Sequence, residues 1–210
     1  MAACSSGTST SSSSTTSTTS ASTTSTTSSA LRTACKTANT QFDAFLTVQS
    51  AAADTARTAN NAWIGYENSL GSQMPDPSSS ELNTAINQFN TDNATAAAAR
   101  QTANQALAQY QATLATCNQA GVPQACQSNF AEHETLIDAA NRLNVAHDAE
   151  IPLIVTDQQA LRARDANAYN ATTSTYNAAR DAANAAGNAW SSALASHTAA
   201  TPPCESALGI

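Results

Sequence analysis

Positive charge is nearly missing from this chain of 210 residues. There is a single lysine, Lys36, and the seven arginines are dispersed apart from Arg162 and Arg164. Charged residues make up 11% of the sequence, less than half the usual share, and the formal net charge is −7. Holding nucleic-acid phosphates or an anionic membrane surface takes clustered Lys and Arg, so neither is an expected partner. Glycines number six and aromatics 5%, which is not the composition of a turn-rich α/β enzyme. No G-x-S-x-G, phosphate-binding loop, G-x-G-x-x-G or H-E-x-x-H occurs, so no catalytic residue, cofactor or enzymatic activity is assigned. No apolar run reaches the roughly 18 residues that a membrane-spanning helix needs. The first 30 residues lack a basic region and an apolar stretch, so no conventional signal peptide is expected.

What is present begins with Ser and Thr. Between Ser5 and Ser29, 23 of 25 residues are one or the other, the exceptions being Gly7 and Ala21. Such a segment cannot bury enough apolar surface to offset its conformational entropy. Residues 1–30 therefore read as a low-complexity arm: a tether, a glycosylated stalk, or a strand that orders against neighbouring subunits.

After the arm the pattern becomes helical. Leu31, Cys35, Ala38, Phe42, Phe45, Gln49, Ala52, Ala56, Ala59, Trp63, Tyr66 and Leu70 recur at alternating spacings of four and three, a coiled-coil seam in which Gln49 alone is strongly polar. Pro75 and Pro77 interrupt it, and Ser78 with Glu81 resembles a capping box for a second helix. That helix carries Leu82, Ile86, Phe89, Asn93, Ala96, Arg100, Ala103, Leu107, Tyr110, Leu114 and Cys117, with Asn93 and Arg100 as polar interruptions. A third carries Phe130, His133, Leu136, Ile137, Ala140, Leu143, Asn144 and His147. Pro152 then marks a turn or kink. A fourth stripe runs through Leu161, Tyr169, Tyr176, Ala183, Trp190 and Leu194. The expectation is an all-α, elongated, antiparallel four-helix bundle over residues 31–200. Its helices are placed at about 31–70, 79–117, 124–150 and 153–197, with a C-terminal tail at 201–210. An open helical hairpin completed by other subunits is the alternative. The large side chains Phe42, Phe45, Trp63, Tyr66, Phe89, Tyr110, Phe130 and Trp190 are the candidate core anchors.

The five cysteines test this arrangement. In an up-down-up-down bundle Cys35, Cys117, Cys126 and Cys204 all fall at one end, and the natural pairs are Cys117–Cys126 across the short loop and Cys35–Cys204 joining first helix to last. Disulfides imply an oxidising compartment or a virion exterior. Four buried thiols, or a zinc site of Cys117, Cys126 and His133, are the alternatives, although no C-x-x-C pair is present. Cys4 is left over. Ala2-Ala3-Cys4-Ser5-Ser6 resembles the end of a bacterial lipobox, which implies a lipid anchor at Cys4.

Three further patterns are weaker. Trp63-Ile64-Gly65 resembles the W-x-G of the small secreted helical-hairpin proteins, but it lies inside the first seam, where Trp63 serves as a core anchor. His133 beside Glu132 and Glu134, and His147 beside Asp148 and Glu150, lack the Glu-x-x-His spacing of carboxylate-bridged metal bundles, so no metal is assigned. Asn93-Ala94-Thr95 and Asn170-Ala171-Thr172 match the N-glycosylation pattern within helical segments. The expected function is that of a structural or assembly protein, a minor cementing or scaffolding component of a virion or surface assembly whose partners are other protein subunits. The alternative is a tethered envelope or secreted interaction module anchored at Cys4.

Overall fold

A computed structural model of the protein describes residues 21–71 and 73–210. Four long helices follow one another: α1 Ala21–Leu70, α2 Ser80–Ala120, α3 Gln127–Ala163 and α4 Ala166–Leu208, with a 3-10 turn at Gln124–Cys126 ahead of α3. They form the all-α antiparallel bundle that the heptad seams imply. At 1.5 Å per residue, α1 spans about 75 Å. The backbones approach most closely within two hairpins, α1 on α2 and α3 on α4. Small side chains permit this: Ala38, Ala52, Ala56 and Ala59 of α1, and Ala96 and Ala103 of α2, are all buried.

Several boundaries differ from the sequence expectation, each for a local reason. Helix α1 takes in residues 21–30, assigned above to the arm. Lengthening an established helix costs far less than starting one, and the Thr33 hydroxyl bonds back to the Ser29 carbonyl at 3.0 Å. The remainder of the arm, with Cys4, lies outside the described residues. At the start of α2 the cap is Ser79 rather than Ser78; its hydroxyl accepts from the Leu82 amide. Ser78 is already engaged, giving both its amide and its hydroxyl to Asp76, and those bonds hold the Asp76 carboxyl below its usual pKa.

Pro152 does not end the third helix. It sits on the exposed face of α3, while Ile154, Asp157, Ala160 and Leu161 continue the buried stripe beyond it. Packing of Ile154 and Leu161 against Trp63 and Phe89 outweighs the lost backbone bond. The chain turns instead at Arg164, which adopts a left-handed conformation, and at Asp165, whose carboxylate caps α4 by accepting from the amides of Asn167 and Ala168. The fourth helix likewise runs through Pro202 and Pro203 into the expected tail. Cys204 and Leu208, both buried, anchor those last turns to the core, and Gly209 closes the helix with φ 75°.

The core has two parts. One, at the end where α1 begins, gathers Cys35, Phe42, Phe45, Tyr110, Cys117, Cys126, Phe130, Leu136, Trp190 and Cys204. The other, at the end holding the two hairpin turns, gathers Trp63, Leu82, Ile86, Phe89, Ile154, Leu161 and Tyr176. Between them the buried residues are small or polar: Ala52, Ala56, Ala96 and Ala183 beside Gln49, Asn60, His147 and Glu150.

Candidate functional site

Disulfides close the first end. All four cysteines predicted to cluster do so, at 0% exposure, but their partners differ from the natural pairs proposed above. Cys35 is bonded to Cys117, with Cα atoms 4.6 Å apart, and Cys126 to Cys204, at 4.3 Å. The reason is hairpin register. In an antiparallel hairpin, residues equidistant from the turn face each other. The midpoint of Cys35 and Cys117 is residue 76, inside the Pro75–Pro77 turn, and that of Cys126 and Cys204 is residue 165, in the turn after α3. Each bond therefore staples one hairpin across its open end. Buried disulfides of this kind form in an oxidising setting.

Behind the disulfides lies a buried polar cluster drawn from all four helices. Asn129 donates to Asn39 Oδ1 at 2.9 Å and lies 3.3 Å from His133 Nε2. The Thr201 hydroxyl faces Asn129 Oδ1 at 3.2 Å and the His197 carbonyl at 2.8 Å. Tyr110 Oη is 2.9 Å from His133 Nδ1. Keeping the Asn129–His133 contact donor-to-acceptor places the imidazole proton on Nδ1. The ring stacks on Phe42 with centroids 3.6 Å apart and planes 11° apart. Burial, reinforced by His197 5.0 Å away, lowers the His133 pKa to about 3, so the ring is neutral. Enclosed by aromatics and amides, this histidine is a packing and register element.

The middle belt follows the same rule of satisfied polarity. Asn60 donates to Glu150 Oε2 at 2.5 Å, and His147 Nδ1 lies 3.1 Å from the same oxygen. Gln49 donates to Asn144 Oδ1 at 3.2 Å, and Arg100 pairs with Asp148 at 3.0 Å. Of the histidines and acids considered above for metal, His147 and Glu150 engage each other, Asp148 pairs with Arg100, and His133 is held by Tyr110 and Asn129. The operative spacing is His147-x-x-Glu150, the reverse of the order sought.

The turn end is different. Among the described residues, the buried side-chain atoms without a hydrogen-bond partner are Trp63 Nε1, Tyr66 Oη, both Asp157 oxygens, Gln158 Nε2 and Tyr176 Oη, and all belong to this end. Glu67 of α1 lies close to three of these residues, Trp63, Asp157 and Tyr176. Burial and the Asp157 carboxyl push the Glu67 pKa up to about 7, while Tyr169 and the Trp63 indole lie near enough to moderate the rise. Burial raises Asp157 to about 6. The two carboxyls are close enough to share a proton, yet neither Asp157 oxygen makes a hydrogen bond of regular geometry. Burial and the nearby acids push the Tyr169 hydroxyl to about 12 and raise Tyr176 as well. A cavity of about 330 Å³ opens here between α1 and α4, lined among others by Ile64, Glu67, Tyr169, Thr173, Tyr176 and Arg180.

Of the candidate anchors, Phe42, Phe45, Trp63, Phe89, Tyr110, Phe130 and Trp190 are buried, whereas Tyr66 is half-buried beside Trp63. The acid–tyrosine group went unnoticed in the sequence. Its one signal is Asp157, an acid on the buried stripe Ile154, Asp157, Leu161. Among the described residues no helix is long and apolar enough to cross a membrane, and no group of three or more His, Cys, Asp or Glu converges as a metal site. The chain matches no protein-family model, no curated protein and no solved structure.

Proposed function

We propose that this protein is a non-enzymatic structural component of a virion or cell-surface assembly, a stiff helical strut that works through contacts with other protein subunits. The observation that carries the reading is the double staple: two buried disulfides, each closing one hairpin, at the same end of a bundle about 75 Å long. Secreted and virion-surface proteins keep such bonds, whereas reducing compartments do not. The polar belt and the His133 cluster serve the same end, because buried polar pairs fix helix register at some cost in stability. The Ser/Thr-rich arm supplies the attachment, by ordering against neighbours or through Cys4.

The test is the intact mass of the natively isolated protein, with free thiols alkylated before and after reduction. The proposal expects four thiols to become alkylatable only on reduction, and the protein to cross-link to subunits of a larger assembly. Four thiols alkylated without reduction would overturn it. A lipid mass on Cys4 would move the strut to a cell envelope and end the virion reading. Deleting residues 1–30 separates an attaching arm, whose loss abolishes incorporation, from a passive linker.

A further inference from the structure

We propose that the cavity between Glu67, Tyr169 and Tyr176 at the turn end of the bundle binds a small organic ammonium ion.

Three observations converge on it. The first is shape: about 330 Å³ lies between α1 and α4, at the small end of ligand pockets. The second is chemistry. Glu67 lines the cavity, with the fully buried Asp157 behind it on α3. The walls are aromatic: Tyr169 and Tyr176 line the space, and Trp63 packs behind them. A carboxylate pair within an aromatic surround is what an ammonium group prefers, through charge on one side and ring faces on the other. The third is the unpartnered polarity. Tyr176 lines the cavity at 3% exposure with its hydroxyl unbonded, and the Trp63 indole N–H, at 1% exposure, lies near Glu67 without a hydrogen bond of regular geometry. Elsewhere Asn39, Asn60, Asn129, His133 and Glu150 all find partners; the unbonded Tyr66 Oη and Gln158 Nε2 belong to residues lining two neighbouring grooves at the same end.

A bare divalent ion fits less well. Calcium takes about six to eight oxygens, and this cavity offers one carboxyl on its wall, that of Glu67, with Asp157 behind it and aromatic rings around. Arg180, one turn beyond Tyr176 on α4, stands on the cavity wall and disfavours a second positive charge. The ligand is therefore a monoammonium compound.

Binding is coupled to protons. The groups facing Glu67 are Asp157 on α3 and Tyr169, Tyr176 and Arg180 on α4, with Glu81 of α2 reached through Tyr66. An incoming ammonium displaces the proton that Glu67 and Asp157 hold, so affinity rises as pH increases toward about 7 and levels off above it.

The protein contains two tryptophans, and they make the test internal. Trp63 adjoins the cavity and Trp190 belongs to the disulfide-end core. Titration of the full chain with n-butylammonium chloride, at constant ionic strength and pH 8, is followed by the two indole N–H resonances. The expected result is a saturable shift of Trp63 with Trp190 unmoved, weakened about tenfold or more in Glu67→Gln and also weakened in Tyr169→Phe. Choline in place of n-butylammonium reports whether a quaternary head is admitted. The proposal fails if Trp63 does not move, if n-butanol moves it equally, or if a folded Glu67→Gln variant binds as well as the parent. Should Glu67→Gln not fold, unchanged affinity in Tyr169→Phe together with pH-independent binding to the parent would overturn it.

Discussion

Removing one disulfide should loosen one hairpin and leave the other intact. The Cys35–Cys117 bond spans 82 residues. In the chain-entropy treatment, freeing a loop of that length stabilises the unfolded chain by about 4.5 kcal/mol. The Cys126–Cys204 bond spans 78 residues, so its contribution is nearly equal. The two loops do not overlap and belong to different hairpins, so the losses add, to roughly 9 kcal/mol, comparable with the whole stability of an ordinary domain. The double variant Cys35→Ala/Cys117→Ala should therefore melt roughly 10–18 °C below the parent, followed by far-UV circular dichroism, and Cys126→Ala/Cys204→Ala by a similar amount. Trypsin provides the direct check. Cleavage after Arg32, Lys36, Arg100, Arg142 and Arg180 leaves Cys35 on 33–36, Cys117 and Cys126 together on 101–142, and Cys204 on 181–210. The observed pairing joins these three peptides into one species that separates on reduction. A 33–36/181–210 pair beside a free 101–142 would refute the hairpin-register argument, and a melting shift of only a degree or two would refute the entropy estimate.

Acid should weaken the disulfide end. The unfolded chain takes up a proton at His133 below pH 6.5, while the folded ring resists until about pH 3. Stability is thus full above about 6.5, falls as pH drops, and is lower by about 3 kcal/mol at pH 4.5, measured by urea denaturation; His133→Gln flattens that slope. The turn end runs the other way. Glu67 is raised to about 7 and Asp157 to about 6, so their stabilising protonation is complete in acid and lost as pH rises through those values, a loss that Glu67→Gln reduces. Pro152→Ala should raise stability by about 1–3 kcal/mol, because the proline is exposed and the new amide completes the helix ladder; no change would mean the break carries no strain. Gly65→Ala, where an added methyl meets nothing within 4 Å, should raise stability by about 0.5–1 kcal/mol in the same assay.

How far the sequence could be read follows the range of the forces involved. Heptad spacing is a local property, and the seam residues Cys35, Ala38, Phe42, Phe45, Ala52, Ala56, Ala59 and Trp63 are all buried on α1. Helix ends were less legible. Pro152, Pro202 and Pro203 are local signals to stop, overridden by the burial of Ile154, Leu161, Cys204 and Leu208 against other helices. Ser78 and Ser79 are equivalent caps in sequence, and the Asp76 side chain decides between them. The acid–tyrosine cavity was not visible because Glu67, Asp157 and Tyr176 come from three helices, and only packing makes them neighbours.

By itself the sequence determined that the chain is helical, that its helices bury alternating stripes, and that four cysteines gather at one end, since each of these depends on spacing along one chain. It also displayed the polar interruptions Gln49, Asn93, Arg100, Asn144 and His147. Only the tertiary structure put Gln49 on Asn144, Arg100 on Asp148, and His147 with Asn60 on Glu150, in a single belt that divides the core in two. It alone chose the cysteine partners and opened the acidic cavity at the turns. Those are matters of register between helices, and register is set by side chains far apart in sequence meeting across an interface whose geometry no single helix contains.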